Sequence, residues 1–418
     1  MERGSTRDVY DIVVVGAGIV GLATARELLL RHPDLRLLVV EKESEVAAHQ
    51  TGHNSGVLHS GLYYTPGSLK ARLCRSGKAL LEQFAEEHDI AVDRCGKLII
   101  ATDGGELPAL EELYRRGKAN AVPELQMVGP AGLRDIEPNA IGLRALWSPS
   151  TAIIDYRAVA NAMVEDIRNA GGQIRLNFEI SIIIRETGGL VLGTGLETVA
   201  CRNVVACAGL QADRLSLMTG SRTQETMAPF RGSYYLLSPS ARNLVRGLIY
   251  PVPDPHFPFL GIHLTRRIDG EVLAGPNAVL AFRREGYRRS DVRISDLRTV
   301  LADPGFRKLA RRHWRMGLAE MWRDWDKSAF TRAVRRFVPE LKSHDLLRGP
   351  SGVRAQAIDP DGSLVDDFRI GSERRIMHVR NAPSPGATAS IAIARHLASQ
   401  AERQFVDLPQ DRPRSSSP

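Results

Sequence analysis

Three glycines directly after an apolar run form the first pattern that can do chemistry. Gly16, Gly18 and Gly21 follow the β-branched run from Ile12 to Val15, and a helical pattern extends from Ile19 to Leu30. In a dinucleotide-binding turn the first glycine permits a tight bend and the second lets a pyrophosphate approach the backbone. The third allows the helix to pack on its strand, and the phosphates rest on the positive end of that helix. The pattern predicts a dinucleotide site; a βαβ unit without a ligand is the alternative.

An acidic residue ends the next apolar run. The stretch from Leu35 to Val40 indicates a second buried strand, and Glu41 follows it, twenty residues after Gly21. A carboxylate at this place can accept hydrogen bonds from the adenosine ribose hydroxyls, and it disfavours a 2′-phosphate. The sequence therefore predicts FAD or NAD in preference to NADP.

Two histidines lie in the glycine-rich loop that follows this strand. Thr51, Asn54 and Ser55 supply side chains that, with nearby amides, can bind phosphate or the edge of a flavin ring. His53 and His59 can take part in proton chemistry or polarise a substrate. For each histidine, a purely structural hydrogen bond is the competing interpretation.

Two later strand patterns carry polar side chains on one face. The run from Phe259 to Thr265 alternates, so His263 shares its face with a glycine and a threonine. Such a face either lines a pocket or lies on the surface. The run from 351 to 357 similarly places Arg354 and Gln356 on one face.

The end of the chain supplies a second turn before a helix. A strand from Asn203 ends at Gly209, and a small-residue turn spans positions 382 to 390, with Gly386, Ala387 and Thr388 near its end. The following helix N-terminus suits a flavin carbonyl or a substrate carboxylate. NAD seldom needs a distant C-terminal segment for its ring, whereas a flavin does, so the two turns together favour a flavin.

Composition bounds the remaining functional classes. The chain has 418 residues, 43% of them hydrophobic and 25% charged, which is typical of a globular protein with a sizeable core. Its four cysteines show no metal-ligand spacing, so we expect free thiols, no metal site and a reducing, cytoplasmic compartment. The N-terminus has no apolar core, and the longest apolar run belongs to the nucleotide fold. We therefore expect neither a signal peptide nor a membrane span.

The net charge of +8 is concentrated in one region. Arginine pairs recur between positions 283 and 336, where Trp314, Trp322 and Trp325 interleave with them. A solvated helical face is the first interpretation. Peripheral contact with an anionic membrane, such as the inner membrane surface, is the second. Nucleic-acid binding is not expected, because no binding module is recognisable.

These motifs together resemble a known superfamily. The glycine turn with Glu41, the loop from 51 to 64, Cys-Ala-Gly209 and the turn from 382 to 390 resemble the FAD-dependent D-amino-acid oxidase (DAO) superfamily. Longer strings resemble the L-2-hydroxyglutarate oxidase or dehydrogenase family within it. They are His-Asn-Ser-Gly-Val-Leu-His-Ser-Gly-Leu-Tyr-Tyr64, Pro-Phe-Leu-Gly-Ile-His-Leu-Thr265, Gly-Pro-Asn-Ala-Val-Leu280, Gly-Val-Arg-Ala-Gln356 and Asn-Ala-Pro-Ser-Pro385.

The resemblance implies a reaction and a set of residues. The reaction is oxidation of L-2-hydroxyglutarate to 2-oxoglutarate by hydride transfer to FAD, with electrons passed to oxygen or a quinone. His59 and His263 are candidates for the base and for the group that orients the hydroxyl. Arg354 is the candidate carboxylate clamp, and Arg231 is a second possibility for which a structural ion pair is at least as good an explanation. The implied cofactor contacts are Gly16, Gly18, Gly21, Glu41, Lys42, Thr51, His53, Asn54, Ser55, Gly209, Gly386, Ala387 and Thr388.

The fold implied is α/β, with a Rossmann-like FAD-binding domain and an inserted α+β substrate domain. We predict FAD-binding segments at 8–88, 151–220 and 351–406, substrate-domain segments at 89–150 and 221–350, and a disordered tail at 407–418. Two other functions remain open. One is a related oxidoreductase of an amino acid, an amine or glycerol phosphate. The other is a flavin-binding protein that attaches to membrane or nucleic acid without turnover.

Overall fold

The computed structural model describes residues 9–221, 223–254, 260–405 and 408. In chain order the strands are β1 (Val9–Val15), β2 (Leu37–Val40), β3 (Val57–Leu58), β4 (Val92–Asp93), β5 (Lys97–Ala101), β6 (Gln126–Val128), β7 (Arg144–Ser148), β8 (Ala152–Ile154), β9 (Gln173–Arg175), β10 (Ile182–Glu186), β11 (Gly189–Gly193), β12 (Thr198–Ala206), β13 (Thr226–Leu237), β14 (Leu248–Pro251), β15 (His263–Arg266), β16 (Val272–Gly275), β17 (Val279–Leu280), β18 (Leu346–Ile358), β19 (Arg369–Glu373) and β20 (Ile376–Asn381).

The α-helices lie between these strands and after the last of them. They are α1 (Ile19–Arg31), α2 (Leu69–Glu87), α3 (Leu107–Ala119), α4 (Pro130–Ile136), α5 (Tyr156–Asn169), α6 (Ala212–Met218), α7 (Ile294–Ala302), α8 (Pro304–Trp325), α9 (Lys327–Arg335) and α10 (Ser390–Gln404). Short 3-10 helices span Gly104–Glu106, Gly209–Gln211, Arg242–Leu244 and Ser343–Asp345. No helix within the described ranges has both the length and the apolar character needed to cross a membrane.

The first sheet has a parallel centre, in the order β9-β2-β1-β12-β20. Strands β10, β11 and β19 extend it by antiparallel pairing. Ile12, Val13 and Val14 in β1 are fully buried, because α1, α5 and α10 cover one face and a second apolar cluster covers the other. A strand buried on both faces needs a continuous apolar run, as this one has. The predicted Rossmann-like α/β fold is confirmed.

The second sheet has nine strands and is mostly antiparallel. Its order is β17-β13-β16-β15-β14-β5-β7-β6, and β18 also pairs with β13. Apolar residues on one face pack against α9 through Phe330 and Val334. On the other face, Ile99 and Tyr250 pack with Val57 and Leu62 from the loop after β2. This second contact brings the loop against the sheet.

The predicted segment boundary at position 351 is wrong. Strand β18 runs alongside β13 from Leu346 to Ile358, so residues 351–358 belong to the second sheet. The chain returns to the first sheet only at β19, which begins at Arg369. The amphipathic pattern of a strand predicts its two faces but not its neighbour, which depends on long-range pairing.

The start of helix α5 is fixed by a short strand and by an N-cap. Ile153 and Ile154 lie in β8, which pairs with β3 and β4 in a small third sheet, and α5 begins only at Tyr156. The Asp155 side chain caps α5 by accepting a hydrogen bond from a backbone amide. The predicted tail at 407–418 lies outside the described residues, apart from Leu408, which is buried in the core of the first sheet.

Candidate active site

The three glycines of the first turn meet three different steric demands. Gly16 has a φ of +103°, in the left-handed region, and a Cβ atom there would lie 2.5 Å from the Cys207 carbonyl oxygen. A Cβ atom at Gly21 would overlap the Gly16 carbonyl oxygen. These two glycines are therefore required by the turn and by the packing of α1 on β1.

Gly18 differs, because the protein itself does not require a glycine there. Its φ and ψ of −76° and 170° suit any residue, and an added Cβ atom would meet only the Thr51 hydroxyl, at 3.5 Å. That hydroxyl accepts a hydrogen bond from the Ile19 amide at 3.0 Å. Within the described chain, the Gly18 amide donates to no acceptor. Open space above a free helix N-terminus fits a pyrophosphate.

The Glu41 carboxylate lies at the same turn. One oxygen accepts a hydrogen bond from the Ala17 amide at 2.7 Å, and the other accepts one from the Glu43 amide at 3.1 Å. Glu41 is 9% exposed. The two amides fix the orientation of the carboxylate, and its remaining lone pairs can accept ribose hydroxyls. The geometry fits the predicted role in FAD binding.

Lys42 is engaged with protein partners. Its ammonium pairs with Glu43 and lies 3.0 Å from Glu285, while His49 also contacts Glu43 at 2.9 Å. Ligand atoms of Glu43, His49 and Glu285 lie close enough together to hold a metal ion. Because the lysine already supplies the cation, the group acts as an ion-pair network, and Lys42 is not free for the cofactor.

His53 and Asn54 hold the loop in place. His53 Nδ1 lies 3.0 Å from the Ser351 carbonyl, and its ring stacks on Tyr287 with centroids 4.2 Å apart. Burial lowers the pKa of His53. Asn54 donates to the Thr51 carbonyl at 2.8 Å. His53 therefore links the loop to the second sheet, and Asn54 bonds within the loop. For His53, this is the structural hydrogen bond that was the alternative to ligand binding.

Ser55 and Gly209 complete the N-terminal and central parts of the predicted cofactor set. Ser55 is half-buried in the loop. Gly209 has a φ of +50° and follows β12, next to the glycine turn, where the Cys207 amide donates to the Val15 carbonyl at 2.8 Å. The backbone at Gly209 thus lies beside the turn that would hold the phosphates.

The C-terminal turn combines backbone donors with a structural hydroxyl. Within the described residues, the amides of Ala387 and Thr388 donate to no protein acceptor, while the Gly386 amide donates to the Pro383 carbonyl. The Thr388 hydroxyl is buried and accepts a hydrogen bond from the His59 amide at 3.1 Å. Thr388 therefore offers a cofactor its amide, and its side chain positions His59.

Five polar residues share one face of the second sheet, and we call them the polar row. The strand registers place alternate residues on common faces. They align Lys97 on β5, Tyr250 on β14, His263 on β15, Tyr234 on β13 and Arg354 on β18. The row therefore collects side chains that are up to 257 positions apart, from 97 to 354.

His263 is fixed as a neutral acceptor. Its Nδ1 lies 2.8 Å from the Gly261 carbonyl, which can only accept, so Nδ1 carries the proton and Nε2 keeps its lone pair. The ring stacks on Tyr250 at 4.0 Å. Burial lowers the pKa of His263 to about 3, and the charges of Arg354 and Lys97 act in the same direction. Of the predicted run, Phe259 lies outside the described residues and the strand begins at His263, whose ring is buried beside the two charges.

His59 faces the row from the loop. Burial holds its pKa well below the ordinary value, and the nearby Lys97 charge, His263 and Arg354 lower it further. Its Nε2 lies 3.5 Å from the Ser384 hydroxyl of the C-terminal turn. His59, His263 and Arg354, which the sequence placed in three separate motifs, are therefore neighbours.

The two candidate arginines have different surroundings. Arg354 is exposed and interacts with the Tyr234 phenol, and it forms no ion pair with any described carboxylate. Arg231 is buried and donates to Asp324 at 2.8 Å, and Asn277 donates to the same carboxylate at 2.7 Å. Arg231 therefore forms a structural ion pair, which was the alternative to its binding a ligand. Arg354 remains available for a ligand.

Sequence reasoning missed Lys97 and the tyrosines around it. Lys97 is 1% exposed, and its ammonium lies 4.2 Å from the Tyr250 ring centroid and 5.3 Å from that of Tyr63. The available signal was a lysine at the start of an otherwise apolar strand. Lysine is almost never fully buried unless another group pairs with its charge.

Known proteins match this chain over most of its length. Residues 11–400 match the family described as FAD dependent oxidoreductase (DAO). The chain is 48% identical to the mitochondrial L-2-hydroxyglutarate dehydrogenase of Nematostella vectensis over 95% of this chain and 91% of that one. It is 46% identical to the mitochondrial enzyme of the same name from Homo sapiens, over 97% and 91%. It is 45% identical to L-2-hydroxyglutarate dehydrogenase of Escherichia coli (strain K12), over 94% and 93%.

Solved structures share the fold at lower identity. The FAD-bound L-α-glycerophosphate oxidase of Mycoplasma pneumoniae has a TM-score of 0.77 at 22% identity, over 98% of this chain and 97% of that one. Glycine oxidase of Geobacillus kaustophilus has a TM-score of 0.70 at 20% identity, over 96% of both chains. The family match and the high-identity relatives confirm the predicted resemblance and FAD as the cofactor. The chain therefore belongs to the FAD-dependent oxidoreductase (DAO) family.

Proposed function

We propose that this protein oxidises L-2-hydroxyglutarate to 2-oxoglutarate with FAD as the immediate electron acceptor. The observation that carries the proposal is that His59, His263 and Arg354 lie near one another where the loop meets the second sheet, and we take this place as the substrate pocket. A 2-hydroxy acid needs a proton acceptor for its hydroxyl and a cation for its carboxylate, and this pocket offers both. The names of relatives at 45 to 48% identity support the same substrate.

His263 is the proposed base. Because Nδ1 donates to the Gly261 carbonyl, Nε2 is the only ring atom that can take the hydroxyl proton. A bound dicarboxylate favours the imidazolium and so raises the low pKa of this ring toward the working range. FAD, when bound, supplies the acceptor for the hydride from C2. His59 orients the hydroxyl from the opposite side of the pocket.

Arg354 is the proposed clamp for the carboxylate next to the reacting carbon. A guanidinium fork fits a carboxylate bidentately, and Arg354 has no competing carboxylate among the described residues. Tyr234 lies beside the guanidinium and supports its position. For the cofactor, the proposed contacts are Gly16, Gly18, Gly21, Glu41, Thr51, Gly209, Gly386 and the amides of Ala387 and Thr388.

Anaerobic reduction of the flavin tests this function. The yellow holoenzyme is mixed with L-2-hydroxyglutarate, its D enantiomer, an L-amino acid, an amine or glycerol 3-phosphate. We expect bleaching only with L-2-hydroxyglutarate. Bleaching by another compound instead would assign the related oxidoreductase activity, and no bleaching at all would leave a flavin-binding protein without turnover. Reoxidation by air or by a quinone analogue then identifies the acceptor.

We also propose that the enzyme contacts an anionic membrane from the cytoplasm. Five residues along α8 are exposed, at positions that lie on one helical face: Trp314, Leu318, Met321, Trp322 and Trp325. Two of the tryptophans, at 322 and 325, are 65% and 72% exposed. Tryptophan beside arginine is typical of interfacial helices, and Arg311, Arg312 and Arg315 are exposed on the same helix. The four free cysteines support a reducing compartment.

Vesicle flotation tests the membrane contact. We expect the holoenzyme to bind phosphatidylglycerol vesicles and not phosphatidylcholine vesicles at low salt. The double variant Trp314→Ser, Trp322→Ser should lower binding by about tenfold, because interfacial affinity scales with buried apolar area. Leu196→Ser is the matched control, because Leu196 is 99% exposed at a turn of the first sheet. Equal binding by all three proteins would refute the proposal.

A further inference from the structure

Lys97 is a buried cation without a carboxylate partner. It begins β5, in which all five residues are buried, and it is 1% exposed. Among the described residues, no carboxylate or other acceptor bonds its ammonium, which lies over the Tyr250 and Tyr63 rings. Aromatic faces return only part of the hydration that a buried ammonium loses.

Lys70 provides an internal comparison. It is also buried, at 7% exposure, but its ammonium donates to the Asp366 carboxylate at 2.8 Å and to the Asp366 carbonyl at 2.9 Å. The fold thus supplies an anion to one buried lysine and none to the other. A buried charge left unpaired is destabilising, so its retention at Lys97 indicates a partner from outside the chain.

A second donor beside Lys97 has the same deficit. The Tyr63 hydroxyl is buried and has no hydrogen-bond partner, and the Lys97 ammonium lies over the ring that carries it. A buried hydroxyl without a partner loses its hydrogen bond to water and gains nothing. The Lys97 ammonium and the Tyr63 hydroxyl both lack an acceptor within the described chain. A single carboxylate could accept a hydrogen bond from each of them.

The position of Lys97 separates it from Arg354. The two lie on β5 and β18, at opposite ends of the polar row, and the charges of both act on His263 between them. We propose that Lys97, assisted by Tyr63, binds the carboxylate of the substrate that is remote from the reacting carbon, and so selects dicarboxylic over monocarboxylic 2-hydroxy acids. This inference rests on the proposed function for the identity of the substrate.

The charge state of Lys97 agrees with a role in binding an anion. Burial lowers the pKa of Lys97 to about 7, and the neighbouring Cys74 and Cys95 act in the opposite direction. An arriving carboxylate favours the ammonium form, so the ion pair forms when the substrate enters. Specificity then arises because a monocarboxylate leaves both buried donors unpaired.

The test compares two substrates that differ only in the remote carboxylate, L-2-hydroxyglutarate and L-2-hydroxypentanoate. We expect Lys97→Met to lower kcat/KM for the dicarboxylate by about 10- to 100-fold, mainly through KM, because one charged hydrogen bond is lost. The value for the monocarboxylate should change less than about threefold. Lys70→Met, the matched control, should leave the ratio of the two substrates unchanged. An equal loss for both substrates, or no loss, would overturn the proposal.

A binding measurement separates this inference from the proposed function. Glutarate and pentanoate are titrated into the oxidised holoenzyme, and the change in flavin absorbance reports binding without turnover. Wild type should bind glutarate more tightly, and Lys97→Met and Lys97→Gln should each remove that preference while they retain FAD. If L-2-hydroxyglutarate does not reduce the wild-type flavin, the proposed function fails, and the glutarate preference still decides the role of Lys97. A preference that survives both substitutions refutes it.

Discussion

The two large sheets build their sites in different ways. In the first sheet, the turn at Gly16 to Gly21 and the Glu41 carboxylate lie within 26 consecutive positions. In the second sheet, the polar row is collected from five strands, and only long-range pairing brings Arg354 to the side of Tyr234. The predicted phosphate-binding turn is therefore built from nearby positions in the sequence, whereas the proposed substrate pocket depends on pairing between distant strands.

The sheets also treat buried polar groups differently. His378 in the first sheet is held on both ring nitrogens, by the Ser216 and Thr219 hydroxyls at 3.2 and 3.1 Å. In the second sheet, the lone pair of His263 Nε2 and the ammonium of Lys97 have no protein partner among the described residues. Unfilled hydrogen-bonding capacity, more than polarity itself, distinguishes the site from the supporting structure.

The largest effect that we expect comes from Gly18. Gly18→Val should leave a folded protein that purifies without flavin, with at least about 100-fold weaker FAD binding, because its side chain fills the space of the pyrophosphate. Its backbone angles suit valine, and the added Cβ meets only the Thr51 hydroxyl, at 3.5 Å. Flavin absorbance and the Tm of the apoprotein are measured.

Gly21→Val is the control, because it shows what happens when a side chain disturbs the packing of the fold and does not only fill the space of the ligand. Because a Cβ atom at Gly21 overlaps the Gly16 carbonyl oxygen, we expect loss of fold stability as well as of FAD. If Gly18→Val also lowers the Tm of the apoprotein by as much as Gly21→Val does, our distinction between the two glycines is wrong.

The next largest effect concerns the two buried histidines. His263→Gln should keep FAD and lower kcat by about 10²- to 10⁴-fold, because the proton acceptor of the pocket is removed. His378→Gln, the matched change in the first sheet, should lower stability and leave the kcat of the folded enzyme within about twofold, because both His378 nitrogens serve the structure alone. Single-turnover reduction of the flavin measures both, and equal losses of rate would contradict the contrast.

The first sheet was predictable from sequence because its determinants are contiguous. A β-branched run, three spaced glycines and a terminal acid specify a strand, a turn, a helix and a second strand in order. The roles of loop side chains were harder to predict. Asn54 and His53 have N–H donors that could serve a flavin, but they donate to backbone carbonyls of the protein instead. The type of a residue determines which hydrogen-bond donors and acceptors it has, but it does not determine which group they bond to.

In the second sheet, local patterns predicted strand faces, but only the resemblance to a known family implied that their residues form one site. The alternating run around His263 predicted a strand face, and the run around Arg354 predicted another, but neither indicated that the two faces meet. Strand β18 was assigned to the wrong sheet for the same reason. Lys97 was missed because a single lysine in an apolar run has no local pattern, and its meaning depends on Tyr63 and Tyr250.

A smaller effect should come from Arg231, which pairs with Asp324 on the opposite face of the second sheet from Arg354. Arg231→Met should lower the free energy of unfolding by about 3 kcal/mol, because it leaves the buried Asp324 with fewer partners. The KM for L-2-hydroxyglutarate should change less than about twofold, whereas Arg354→Met should raise it by tenfold or more, about 1.4 kcal/mol in binding. A raised KM without destabilisation in Arg231→Met would make this arginine a ligand-binding residue.

The smallest effects are in the pH dependence of stability. The pKa of His263 falls to about 3 and that of His378 to about 4, chiefly through burial, so both rings are neutral in the folded protein at pH 5. The unfolded chain binds a proton at each ring below about pH 6.5, so this stability is complete above that pH and is lost as the pH falls toward the folded values. Each ring should contribute a loss of about 2 kcal/mol between pH 6.5 and 5.

A bound dicarboxylate should affect these two contributions differently. Glutarate favours the imidazolium of His263 and should reduce its share of the acid destabilisation, while His378, which faces hydroxyls in the first sheet, should keep its share. Urea midpoints of the holoenzyme at pH 5 and pH 7.5, with and without glutarate, measure this for wild type, His263→Gln and His378→Gln. The glutarate effect should disappear in His263→Gln and persist in His378→Gln. The reverse result would place the anion beside the first sheet instead of the polar row.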